Sequence, residues 1–243
     1  MKKGLIADMI RKVIICICIV IFLISSYELY KIFSEYNKNT NVYEEIKEVV
    51  PTIKTENYIA KEEFENLKLQ NKDFKFWIRV PETEIDYPVV QGVDNDEYLY
   101  TNFKGESNKG GSIFLDASNN IEEDKNLVVY GHNMRDGSMF GTLRRLKSHE
   151  YFDKNNKIYI YLEDKTLEYE IFSVYTEDAT LESYKTKFSN DEEYSNYINR
   201  ALSKSFFSFD VKDIDKSKIV TLTTCTNVTD EERLIVHGKL IGN

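Results

Sequence analysis

From Phe76 onward the apolar positions fall into short runs, several with a period of two. Eight of them read as strands: "FWIRVP", "IDYPVVQ", "SIFLD", "LVVYGHN", "KIYIYLE", "LEYEIFSVYT", "KIVTLTTC" and "RLIVHGKLI". They are rich in Val, Ile, Tyr and Phe, which suit a pleated, half-buried surface. Turn-forming segments such as "SNKGG", "DASNN" and "DKNNK" separate several of them. Eight short strands predict a mainly β fold closed into a barrel, because closure removes unpaired strand edges.

Period-3.6 patterning appears elsewhere. Val42, Ile46, Val49 and Val50 form one helical stripe ahead of Pro51, and "TENYIAKEEFENLKLQN" predicts a second helix with Phe64 and Leu67 as its apolar contacts. "DGSMFGTLRRL" predicts a helix after the fourth strand, with Asp136 or Ser138 as N-cap. Between the sixth and seventh strands, "SNDEEYSNYINRALSKSFF" predicts another. Ser189 or Asn190 caps it, acids fill its first turn, and Tyr194, Tyr197, Ile198 and Leu202 form its stripe.

The N-terminus follows neither pattern. Val13 to Ile24 is unbroken apolar sequence, and extending it to Tyr27 gives 15 residues. A buried core helix is the alternative, but basic residues directly ahead of the run favour an uncleaved signal-anchor. On that reading the basic tail stays in the cytoplasm and the chain after Tyr30 lies outside. The expected division is 1–30 tail and anchor, 31–57 stalk and helix, and 58–243 catalytic domain.

Charge and cysteine usage narrow the function. Residues 1–27 carry a net +3 and the remainder −12. So acidic a body is poorly suited to neutralising phosphates, which excludes nucleic acid as a partner. Cys16 and Cys18 lie in the apolar run, so Cys225 is the single thiol of the exported part and has no internal disulfide partner. No ligand-spaced His/Cys/Asp cluster predicts a metal, and no cofactor is expected.

Cys225 ends the seventh predicted strand, and His132 follows Gly131 at the end of the fourth. His149 lies in a polar stretch and His237 within the last strand. A nucleophilic thiol needs a neighbouring base or cation and access to solvent. If "NVTDEE" closes a hairpin, Arg233 returns alongside Cys225, where a guanidinium suits a developing oxyanion. Each residue alone has an ordinary reading: a core cysteine, a structural histidine, a solvated arginine. Together they point to thiol chemistry.

"TLTTC" followed by Arg233 resembles the signature of sortases, the cysteine transpeptidases of Gram-positive cell surfaces. "WIRVPETEIDYPVVQGVDNDEYL", "GGSIFLD", "VVYGHNMRDGSMFGTL" and "TLTTCT…RLIVHGKL" resemble class B sortases in particular, over most of the chain from about Phe74. The helix between the sixth and seventh strands and the N-terminal helices are similar to class B traits. The resemblance implies an eight-stranded sortase-type barrel with His132, Cys225 and Arg233 as catalytic residues. It implies Thr223, Tyr184 and Asn95 near a groove for an NPxTx-like sorting signal. It further implies exported proteins as substrates and a cell-wall peptide or lipid-linked precursor amine as acceptor. Some class B members carry an aspartate just after the cysteine; here Thr226 and Asn227 stand there and the nearest acid is Asp230, so no triad is assigned. Two other readings use the same residues: a cysteine peptidase with water as acceptor, and a membrane-tethered binding module with an incidental thiol.

Overall fold

The computed structural model describes residues 2–50, 58–152, 156–208, 214–226, 229 and 231–242. They divide into two compact units, Met1–Asn41 and Val42–Asn243. In place of a stalk and a separate helix, one continuous helix, α1, runs Lys2–Glu48. In the first unit its apolar residues are exposed, Phe22 by 69% and Ile21 by 59%. That is opposite to a core helix, and α1 is long and apolar enough to cross a membrane.

In the second unit, the last turns of α1 bury Val42, Tyr43 and Ile46, and Val50 just beyond them is also buried. Tyr43 packs edge-on against Tyr87 and donates to Gly111 O at 2.9 Å. Val49 is only partly covered, so Tyr43 takes the place in the buried stripe that Val49 was expected to fill. Pro51 lies outside the described residues. Helix α2 (Lys61–Gln70) buries Phe64 and Leu67, as expected.

All eight strands form: β1 (Phe74–Arg79), β2 (Asp86–Val90), β3 (Ile113–Leu115), β4 (Asn126–Tyr130), β5 (Lys157–Tyr161), β6 (Thr166–Asp178), β7 (Ile219–Cys225) and β8 (Glu232–Gly242). They close in the order β1-β2-β3-β4-β7-β8-β6-β5. Strands β4 and β7 are parallel, while β8 is antiparallel to both β7 and β6. The period of two sorts the side chains. Leu222, Leu234 and Val236 enter the main core, together with Leu127 and Val129. The opposite face carries Ile219, Thr221, Thr223 and Cys225 on β7, in register with Lys239, His237, Ile235 and Arg233 on β8.

Helix α4 (Asp191–Lys204) covers part of that outer face; the intervening α3 is a single turn, His149–Phe152. Asn190 is its cap, accepting from Glu193 N at 2.8 Å. Tyr194, Tyr197, Ile198 and Ala201 are buried on it. Ala201 replaces Leu202 in the expected stripe, because four residues from Tyr197 the helix turns that position inward. Together with Phe172, Tyr175, Ile219 and Ile235 they form a second, smaller core.

The segment after β4 differs from expectation. It is a 3-10 helix, Gly141–Lys147, preceded by Phe140 with no side-chain cap. Asp136 closes a tight turn instead, accepting from both the N–H and the hydroxyl of Ser138.

Candidate active site

Topology brings the three chemical groups together. The parallel register pairs Tyr130 with Thr223. Continuing it two residues sets His132 beside Cys225, because parallel neighbours end at the same edge of the barrel. Cys225 is paired with Arg233 on β8. Thr226 N donates to Glu232 O at 3.2 Å, which makes Cys225–Arg233 a non-hydrogen-bonded pair, the closer side-chain approach of an antiparallel ladder.

A cleft of about 410 Å³ opens on this edge. His132, Cys225 and Arg233 line it, and so do Thr223, Tyr184 and Asn95. All six sequence-derived candidates therefore face one space. Cys225 is half-buried and is not in a disulfide.

His132 Nε2 lies 2.7 Å from Leu99 O. A carbonyl only accepts, so Nε2 carries a proton in either charge state, and Nδ1 is the nitrogen left to gain or lose one. No acid performs this orienting role among the described residues; a backbone carbonyl does. Asp230 lies outside them. Tyr100 packs against the imidazole at 5.5 Å. Asn133, next in sequence, donates to Cys225 O at 2.8 Å and so ties the end of β7 to the loop after β4.

Glu177 is next to Arg233 in the β6–β8 register. It does not leave its charge to the cleft. Arg200 donates to it at 2.8 Å, Ser183 at 2.6 Å, and Lys204 also pairs with it. Burial works against its ionisation, but Lys204, Ser183 and Arg200 outweigh that and hold its carboxyl below the ordinary range.

On the opposite wall Tyr184 meets Tyr130 edge-on at 5.6 Å. Burial raises the Tyr184 pKa even though Arg233 pulls the other way, so its phenol remains a neutral donor. Asn95 is held at both ends: its Oδ1 accepts from Ala117 N at 2.8 Å and its Nδ2 donates to Asp116 at 3.0 Å. Asp116 also accepts from Tyr130 OH at 2.9 Å and from Ser118. Sequence reading missed Asp116 and Asn133, which set the cleft's walls. An acid closing the apolar run "SIFLD" and an amide directly after His132 were the available signals. Leu99 gave none, since it acts through its backbone.

The chain belongs to the sortase family: the sortase domain matches residues 78–241. Family and geometry together define a cell-wall cysteine transpeptidase. Within the family it is of class B. It is 34% identical over 233 residues to sortase B of Listeria monocytogenes, covering 91% of this chain and 92% of that one. The sortase B structure from Clostridium perfringens is 45% identical, with a TM-score of 0.71, covering 73% of this chain and 99% of that one. The Staphylococcus aureus sortase B–substrate complex is 28% identical with a TM-score of 0.78, covering 86% and 98%.

Proposed function

We propose that this chain is a membrane-anchored transpeptidase that cleaves a sorting signal on exported proteins and joins them to a cell-wall amine, with Cys225 as nucleophile. The observation that carries the reading is the shared cleft of Cys225, His132 and Arg233. The Cys225 thiolate attacks the scissile carbonyl. Arg233, one strand away, faces the oxyanion as it forms. His132 as imidazolium protonates the departing amine through Nδ1, while Leu99 O keeps Nε2 occupied. The thioacyl-enzyme then passes its acyl group to an incoming amine, with neutral His132 as base. Thr223, Tyr184 and Asn95, which line the same cleft, hold the signal peptide.

Residues 1–30 serve as tail and anchor, 31–57 as the connection and 58–243 as the catalytic domain, which faces the exterior. The exposed apolar surface of α1 supports the anchor, since bare apolar surface on that scale is costly in water. Confinement of enzyme, substrate and lipid-linked precursor to one membrane surface raises their effective concentration. The substrate complex of the Staphylococcus aureus relative supports a substrate site in this chain.

The test is mass spectrometry of the protein incubated with NPxTx-type peptides, with and without an added amine. An acyl adduct on Cys225 that moves to the amine is the expected result. Release only to water would make the chain a peptidase, and full activity of Cys225→Ala would leave a binding module.

A further inference from the structure

Cys225 borders a second cavity. It measures about 480 Å³, is lined by Asn133, Arg144, Lys147, Cys225, Thr226 and Leu234, and shares only Cys225 with the cleft described above. The 3-10 helix explains its chemistry. Side chains three apart eclipse in that helix. Leu143 and Leu146 therefore stack together into the core, both fully buried, and Arg144 and Lys147 stack together at the cavity. The Lys147 ammonium lies 5.7 Å over the Phe206 ring, and Arg144 has no ion-pair partner among the described residues. No acid is among the described residues lining the cavity. In a body carrying −12, two cations on an opening whose described lining holds no acid are a local reversal of charge.

We propose that this second cavity seats the acceptor, and that the acceptor is a peptide amine with a carboxylate close by, held by Arg144 and Lys147. The assignment rests on the transpeptidase reading above. A transpeptidase must present two substrates to one sulfur. The cleft with Tyr184 and Thr223 takes the acyl side, which leaves the cavity on the other flank of Cys225 for the amine. In the transfer the acceptor nitrogen forms a C–N bond with the thioacyl carbon and the C–S bond breaks. The proton shed by the amine passes to His132 and then to the departing thiolate. The cations take no part in bond making; they anchor the carboxylate so that the amine reaches the thioester.

Competition between triglycine and triglycinamide for one thioacyl-enzyme tests this. The two carry the same amine and differ in the terminal carboxylate. Both partition from a common intermediate, so their product ratio is independent of how fast Cys225 is acylated. The expected result is a preference for triglycine of about fivefold at low salt, the upper end for one exposed ion pair, rising toward about thirtyfold if the second cation contributes equally. It should shrink in about 0.5 M salt, where the Debye length falls to only a few ångströms. The double variant Arg144→Gln/Lys147→Gln should bring the ratio near one, and Arg144→Lys/Lys147→Arg, which keeps both charges, should restore it. An equal ratio in the unaltered protein, or a preference untouched by the double variant, overturns the acceptor site while leaving the transpeptidase intact. Failure of either acceptor to capture an acyl group that Cys225 does take up overturns both.

Discussion

Replacing His237 by glutamine should flatten the acid limb of this protein's stability. His237 is completely buried beneath α4. Phe172 stacks on its ring at 5.7 Å and Tyr197 meets it edge-on at 5.6 Å. Its hydrogen bonds define one tautomer. The Thr221 hydroxyl donates to Asn126 Oδ1 at 2.7 Å, so at 2.9 Å it accepts from Nδ1–H, and Nε2 accepts from Tyr175 OH at 3.1 Å. Burial drives the pKa from 6.5 to about 3; Glu177 opposes the shift and Arg200 adds to it. The folded value lies below the unfolded one, so on acidification the unfolded chain takes up the proton first. This group's share of stability is whole above pH 6.5 and is lost as pH falls toward 3. Between about pH 7 and pH 5 the loss amounts to about 2 kcal/mol. Glu177, held below its ordinary value, loses its share only at lower pH and does not confound that window. Urea unfolding at the two pH values provides the measurement. His237→Gln keeps a donor and an acceptor but no titration, so it lowers stability at neutral pH and narrows the difference between the two pH values by about 2 kcal/mol. An unchanged difference in the variant would refute a neutral buried imidazole.

Two further substitutions test how the site is held. Gly111 has φ +55°, and a Cβ there would lie 2.3 Å from Leu99 O, the carbonyl that orients His132. Gly111→Ala should cost about 1–3 kcal/mol and lower kcat for peptide cleavage by roughly tenfold, as for a misplaced catalytic group; kcat measured on the folded fraction checks it. Arg233→Lys keeps the charge and loses the planar fork, so kcat should fall about a hundredfold with a smaller change in KM, as steady-state kinetics would show.

The eight strands were legible because their signals are local. Runs of β-branched and aromatic residues, several at a period of two and several bounded by turn residues, lie close to the observed strand limits. Differences arise where another local chemistry competes. Asp136 has the character of a helix cap, yet its carboxylate satisfies Ser138 in a turn and the helix begins later, in 3-10 form. On α4 the buried stripe departs from the expected one at Ala201, because a small side chain carries little apolar signal even when buried.

The site divides along the same line. Residue order specifies which groups are available: one thiol beyond the apolar N-terminal run, a histidine after a glycine, and an arginine at hairpin distance. The hairpin pairing of Cys225 with Arg233 follows from chain proximity. The parallel pairing of β4 with β7 joins residues far apart along the chain, and no local pattern encodes it. Folding of the whole chain therefore placed His132 in the same cleft as Cys225, set the Leu99 carbonyl to orient it, and put two cations around the second cavity that Cys225 borders. Such contacts depend on closure of the entire barrel, whereas periodicity reports only on neighbours a few residues away.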